Sequence, residues 1–103
     1  MRTLEFNVDG QTLIKGNDFS GIIRGTKRYL KCSFKFLGSD WNRCKIAIVF
    51  KSGNKECAIA LGNDRSCIVP DEVTDRTSFK LWAIGVRDDY KITTNKITVR
   101  QEE

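Results

Sequence analysis

The sequence contains no histidine, and this absence removes several kinds of chemistry. Without an imidazole there is no Ser-His or Cys-His pair and no side chain whose ordinary pKa lies near neutral pH. The P-loop and the glycine-rich dinucleotide-binding pattern are also missing. We therefore expect that the chain is not an enzyme.

Long apolar runs are missing too. No segment approaches the ~18 apolar residues that a membrane helix needs, so no membrane span is predicted. Residues 1–5 carry charges where a signal peptide has its apolar core, and no small-residue cleavage site follows. The sequence therefore predicts synthesis and folding in a cytosol.

Four cysteines are present, but none belongs to a C-x-x-C pair: Cys32, Cys44, Cys57 and Cys67. An all-cysteine zinc site nearly always takes two ligands from one tight turn, so this spacing argues against zinc. The first three cysteines fall in phase with apolar neighbours, which is the pattern of small buried side chains. We interpret all four as free thiols, with disulfides as the second alternative and metal as the last.

Acidic residues cluster at two places, Asp71, Glu72 and Asp75 in one and Asp88 and Asp89 in the other. A calcium site or a catalytic carboxylate pair is one interpretation of such clusters. We favour the structural alternative, in which the first cluster begins a helical turn and the second forms an exposed hairpin tip. The sequence thus predicts no metal site, no catalytic residue and no cofactor.

What the chain does contain is a series of short apolar or alternating runs separated by polar turns. Leu4, Phe6 and Val8 alternate with polar residues, and Asp9-Gly10 predicts a hairpin. No helical periodicity is evident beyond one short turn after Pro70. This profile predicts an all-β chain, a β-sandwich of about seven or eight antiparallel strands, with a small barrel as the alternative. The predicted strands cover residues 4–8, 12–14, 29–37, 44–51, 56–61, 66–69, 79–86 and 90–100.

The length of 103 residues predicts a single domain, 1–103, in which 101–103 form a frayed tail. Alternation within 29–37 predicts that Phe34 faces the core while Lys31 and Lys35 face solvent. The run 44–51 is nearly all apolar. We therefore expect it to lie centrally in a sheet, with both of its faces at least partly covered.

The net charge of +5 comes from the middle of the chain, because residues 27–51 hold seven basic side chains and one acidic one. If the strands at 29–37 and 44–51 pair, their lysines form one basic patch that would bind an anionic partner. The alternative is an ordinary solvated sheet face. Aromatic residues spaced to stack on bases are not evident, so nucleic acid is not the expected partner. The candidate partner-binding residues are Arg28, Lys31, Lys35, Trp41 and Lys45.

Trp41 follows a Gly-Ser-Asp loop, and two roles are open to it. It either anchors a partner, as tryptophan often does at binding hot spots, or closes the end of the core, which we favour. Trp82 lies within a predicted strand, and we expect it to pack against its neighbours.

The order of several short motifs resembles a known domain. The motifs are SDW at 39–41, KIAIVF at 45–50, SCIVPDEV at 66–73, FKLWAIG at 79–85, ITTN at 92–95 and ITV at 97–99. Together they resemble the immunoglobulin-like module of head, baseplate and fibre proteins in phages of Gram-positive bacteria. The resemblance covers residues 30–99 and implies an immunoglobulin-like sandwich with a structural role in the virion. It implies no particular binding residue.

The leading hypothesis is a non-enzymatic virion protein that binds an assembled virion surface, most directly a capsid decoration protein. One sandwich leaves no room for a stalk or a receptor-binding tip, which favours decoration over a baseplate or fibre accessory module. The expected partner is the major capsid protein or another virion protein, with self-association on the lattice as an addition. The second hypothesis is a small intracellular inhibitor of a host defence enzyme. The third is a glycan- or wall-binding module that uses Trp41 and Tyr90.

Overall fold

The computed structural model describes residues 1–103, which form nine β-strands and one 3₁₀ helix. None of its elements is a helix with the length and apolar character needed to cross a membrane. The 3₁₀ helix covers Asp71–Val73 and follows Pro70, as the sequence predicted. The strands are β1 (Arg2–Asp9), β2 (Thr12–Lys15), β3 (Leu30–Leu37), β4 (Lys45–Ser52), β5 (Lys55–Ala60), β6 (Ser66–Ile68), β7 (Ser78–Arg87), β8 (Tyr90–Thr93) and β9 (Ile97–Arg100).

The strands form two sheets that pack face to face. The first sheet has the order β2-β1-β3-β6, and the second has the order β5-β4-β7-β8, with β9 also paired to β7. The predicted all-β, sandwich-like fold is confirmed. The predicted count of about seven or eight antiparallel strands is not confirmed: there are nine strands, and β1 pairs with β3 in parallel. The parallel pair arises because residues 16–29 carry the chain from β2 past β1 to its other side.

The core lies between the sheets and is filled by the alternate residues of their strands. Phe6 and Phe34 stand opposite each other on β1 and β3, and their rings stack with centroids 4.9 Å apart. Phe34 is buried while Lys35 is exposed, so the predicted phase of β3 is confirmed. On β4, Ile48 is buried on the core side and Val49 on the opposite side. This strand is therefore central and covered on both faces, as its apolar run predicted.

The last two strands lie end to end along β7 and are separated by residues 94–96. At this break the hydroxyl of Thr94 accepts a hydrogen bond from the amide of Ala83, so this backbone amide of β7 still has a hydrogen-bond partner. The side chain of Asn95 crosses to the other sheet. There its Oδ1 accepts a hydrogen bond from the Leu13 amide at 2.7 Å, and its Nδ2 donates to the Leu13 carbonyl at 3.1 Å. A single asparagine thus satisfies both backbone groups of one residue on the edge strand β2.

The C-terminal residues do not form the expected frayed tail. Gln101 is 6% exposed, and its Nε2 donates a hydrogen bond to the carbonyl of Arg76 at 2.7 Å. The amide of Glu102 donates to the carbonyl of Ile22, and Glu102 forms an isolated parallel bridge with Ile23. Because the backbone groups of the tail find partners in the 16–29 loop, this segment is held against the body of the domain.

Candidate functional site

The candidate residues from the sequence do not meet at one place. Lys31 and Lys35 lie on the outer face of the first sheet, whereas Lys45 lies on the outer face of the second. The hypothesis of one basic patch on two paired strands is therefore wrong, because β3 and β4 belong to different sheets. Arg28 lies in the loop before β3, where its Nε is 3.9 Å from Oδ2 of Asp71.

Trp41 closes one end of the core. Its side chain is 2% exposed, and its Nε1 donates a hydrogen bond to the carbonyl of Gly10 at 2.8 Å. The ring packs against Phe36 of the first sheet and against Gly85 of the second. The structure therefore agrees with the packing alternative. Trp41 offers no surface to a partner protein or to a sugar ring.

The outer face of the first sheet is a mixed polar surface. Its central positions on β1 are Glu5, Asn7 and Asp9, whose cross-strand neighbours on β3 include Ser33 and Lys35. The large apolar side chains exposed on this sheet stand apart, each beside a polar neighbour. Such a surface is typical of a solvated sheet face, so the alternative interpretation of Lys31 and Lys35 fits this arrangement. The separated apolar residues are Ile14, Leu37 and Ile68.

The outer face of the second sheet is different, because apolar residues from three strands form two adjacent rows at its centre. Register places Val49 beside Trp82 and Ala47 beside Ile84 on the central strands β4 and β7. The edge strand β5 extends both rows. No third layer of secondary structure packs on these rows, so they are only partly covered: Val49 is buried, and Lys96 of the 94–96 loop lies over the Trp82 ring. The two apolar rows are Ala58, Val49 and Trp82, and Ala60, Ala47 and Ile84.

Basic side chains border the two apolar rows at both ends. At one end Lys51 stands directly opposite Lys80, and at the other Lys45 and Lys91 flank Val86. Glu56 is the one acidic residue on the strand positions of this face. Lys45 and Lys51 of the basic segment thus join lysines from later strands on this face, whereas Lys31 and Lys35 of the same segment lie on the first sheet. The basic residues of this border are Lys45, Lys51, Lys80, Lys91, Lys96 and Arg100.

A shallow cleft opens at each end of this face. The first has a volume of about 250 Å³, and Nζ of Lys96 lies above the Trp82 ring within it, 4.6 Å from the centroid. The second has a volume of about 320 Å³ and lies beside Val86. The first cleft, called here the lysine cleft, is lined by Lys51, Ser52, Gly53, Ser78, Phe79, Lys80, Trp82 and Lys96.

The acidic cluster near the 3₁₀ helix is divided among separate partners. Nζ of Lys27 donates a hydrogen bond to Asp75 at 2.6 Å, and this contact lowers the pKa of the Asp75 carboxyl. Sγ of Cys57 donates to Oε2 of Glu72 at 3.0 Å, which raises the pKa of the Cys57 thiol. No three Cys, Asp or Glu side chains converge where they would hold a metal ion. Asp75 and Glu72 are each engaged in a contact with one neighbouring side chain.

The buried Cys32 thiol is poorly suited to nucleophilic chemistry. Cys32 stands opposite Cys67 on the neighbouring strand β6, and both side chains face the core. A hydrogen bond with Cys67, together with burial, raises the pKa of the Cys32 thiol well above its ordinary value. Because the thiolate is the reactive species, the raised pKa makes Cys32 a poor nucleophile at neutral pH, and both side chains pack in the core.

Lys80 and Lys96 are members of this surface that the sequence did not single out, and Trp82 was expected only to pack against its neighbours. The signal lies in β7, where inward Phe79 and Leu81 alternate with outward Trp82 and Ile84. A strand that is apolar on both sides predicts cover on both sides, yet this sheet lies at the outside of a two-layer fold. The mismatch points to an apolar surface that side chains cover only in part.

No family model, curated protein or solved structure matches the chain.

Proposed function

We propose that this chain is a non-enzymatic binding protein that docks on a partner protein through the outer face of its second sheet. The observation that carries the proposal is a pair of apolar rows on a sheet face that has no third layer of secondary structure over it, bordered by lysines. Val49 is buried among its neighbours in these rows, Trp82 and Ile84 are partly exposed, and Ala58 and Ala60 are exposed. Protein interfaces combine an apolar centre with a polar rim, and tryptophan is enriched among their hot-spot residues. The face has this composition.

The charge of the border selects the chemistry of the partner. Lysines at both ends of the face favour a partner surface with acidic groups around an apolar centre, since opposite charges accelerate association and exclude like-charged partners. Two copies of this face would instead bring their lysines together. We therefore assign the face to a different protein and not to a second copy of this chain.

The resemblance to immunoglobulin-like modules of phage virion proteins makes an assembled virion surface the first partner to test. Within this proposal the chain is an immunoglobulin-like capsid decoration protein that binds the major capsid protein. Many weak contacts on a symmetric lattice would then hold each copy in place if neighbouring copies also touch. A baseplate or fibre accessory module would use the same face on another virion protein.

Mass spectrometry of purified particles tests the virion assignment. A decoration protein is expected at a copy number comparable to that of the capsid subunit. Absence of the chain, or its presence at a few copies, would exclude decoration. Capture of one stoichiometric host enzyme from lysate would favour the inhibitor hypothesis in its place.

Co-sedimentation of the purified chain with particles tests the docking face. Ile84→Glu places a charge within the apolar rows and is expected to weaken binding at least about tenfold, as loss of a hot-spot contact does. Ile14→Glu makes the same change on the outer face of the first sheet and is the matched control. Binding that survives Ile84→Glu, or that both variants weaken equally, would refute the assignment of this face.

A further inference from the structure

The lysine cleft contains an unfavourable pair of like charges. Lys51 and Lys80 are direct cross-strand partners on the outer face of β4 and β7. Side chains at such positions lie about 5 Å apart at Cβ, and like charges directly opposite each other destabilise a sheet. The pair therefore works against the stability of the free protein.

Further positive charge surrounds this pair and is not neutralised. Lys96 lies above Trp82 in the same cleft, and the guanidinium of Arg76 lies against Gly53 at the adjacent β4–β5 turn. The ion pairs of the molecule lie elsewhere and join Arg24 to Glu103, Lys27 to Asp75 and Arg28 to Asp71. Although Glu56 is the other cross-strand neighbour of Lys51, the two do not form an ion pair. The cleft is thus a local excess of positive charge beside an apolar surface.

We infer that the lysine cleft binds a carboxylate-bearing segment of the partner protein, whose apolar side chains contact the adjoining rows. This inference rests on the proposed function and names the chemistry of its partner. A bound carboxylate between Lys51 and Lys80 would replace their repulsion with attraction to a shared anion. The like-charge pair then destabilises only the unbound protein.

An acidic peptide segment fits the cleft better than a free phosphate does. The cations that line it are lysines, whose flexible ammonium groups act as point charges and lack the rigid fork with which arginine matches phosphate, while Arg76 lies beside Gly53 and outside the lining. Trp82, which lines the cleft and is partly exposed, also presents apolar surface that an inorganic anion would leave unused. A segment that alternates carboxylates and apolar side chains uses both parts of the site.

The two tryptophans allow a direct test by NMR. The ¹⁵N-labelled protein is titrated with the blocked peptide Glu-Glu-Leu-Glu-Glu, and the indole N–H signals are followed. We expect the signal of Trp82 to shift, while that of Trp41, which is buried and bonded to Gly10, stays in place. The Gln-Gln-Leu-Gln-Gln peptide is expected to leave both signals unchanged.

Two double variants distinguish peptide binding in the lysine cleft from nonspecific attraction of an acidic peptide to a basic protein. Lys51→Gln with Lys80→Gln is expected to weaken peptide binding about tenfold without lowering the melting temperature, since it also removes the repulsion. Lys31→Gln with Lys35→Gln removes the same charge from the first sheet and is expected to change binding by less than about twofold. Equal weakening by the two variants would overturn the inference.

Two further probes test whether the lysine cleft prefers another ligand. Inorganic phosphate that shifts the Trp82 signal at a lower concentration than the acidic peptide would reassign the cleft to a phosphate ligand. Tighter binding of oligo(dT) would reassign it to nucleic acid, and either result would overturn the inference. If the peptide fails to bind but Ile84→Glu still abolishes docking on particles, the subsite is wrong and the docking face stands. If the peptide binds and Ile84→Glu leaves particle docking intact, the docking face is wrong.

Discussion

Replacing Gly85 with alanine tests the packing at the end of the core, where the two sheets meet around Trp41. Gly85 lies within β7 and is buried, and its backbone conformation does not require glycine. In an open strand position the change to alanine would stabilise the protein by about 0.5–1 kcal/mol, because glycine loses more backbone freedom on folding. The sign of the measured effect therefore reports on the space beside Gly85.

The structure leaves no space for the added methyl group. It would lie 2.7 Å from both Cε3 and Cζ3 of Trp41 and 3.3 Å from Cβ of Cys44, whereas carbon atoms normally pack at about 3.5–4 Å. Trp41 cannot move freely, since its Nε1 donates a hydrogen bond to the Gly10 carbonyl and its ring packs against Phe36. Overpacking of this kind costs about 1–3 kcal/mol, which outweighs the backbone gain. We expect a net loss of about 1–2 kcal/mol, or roughly 5–10 °C in Tm.

Thermal and denaturant unfolding measure this loss, and two further proteins make the reasoning refutable. In a Trp41→Leu background the added methyl group meets a smaller side chain, so Gly85→Ala is expected to be neutral or stabilising there. Gly62→Ala, in an exposed loop where the nearest atom is 3.4 Å away, is the matched control and is expected to change stability by less than about 0.5 kcal/mol. A stabilising effect of Gly85→Ala in the natural protein would show that Trp41 does not occupy this position.

Three other predictions follow from contacts described above. Phe34→Ala is expected to lower the free energy of unfolding by about 3–5 kcal/mol in a denaturant melt, as truncation of buried aromatic residues does. A loss below about 1 kcal/mol would show that Phe34 does not face the core. Asn95→Ala leaves both backbone groups of Leu13 without partners and is expected to cost about 1–3 kcal/mol, whereas a neutral effect would exclude a structural role for this link. Because the contact with Glu72 raises the pKa of the Cys57 thiol, alkylation of Cys57 by iodoacetamide should require a higher pH than alkylation of an unperturbed cysteine thiol. Glu72→Gln should move the pH–rate profile to lower pH, and an unchanged profile would contradict the contact.

Local signals in the sequence were sufficient for much of the fold. Strict alternation places Phe34 in the core and Lys35 in solvent, and the glycine after Asp9 supplies the positive φ of +58° that the β1–β2 turn uses. The apolar run around Ile48 correctly indicates a central strand. In each case the decisive interaction lies within a few residues along the chain.

The remaining features depend on which strands become neighbours, and no local pattern encodes that choice. Lys51 and Lys80 are distant in sequence and meet only because β4 pairs with β7. The lysines at 31 and 45 are close in sequence, yet they lie on opposite sides of the molecule because β3 and β4 enter different sheets. The parallel pairing of β1 with β3 likewise follows from the path of the 16–29 loop. A charge count along the chain therefore located the basic segment but not the basic face.

The bond between Asn95 and Leu13 has a consequence for how the molecule opens. Edge strands usually fray, and their amide protons exchange quickly with solvent because opening them breaks few contacts. Here the amide of Leu13 on edge strand β2 is held by a side chain rooted in the opposite sheet. Freeing it requires the Asn95 side chain, which links the two layers, to release both of its hydrogen bonds. Hydrogen exchange at Leu13 should accordingly be slower in the natural protein than in Asn95→Ala.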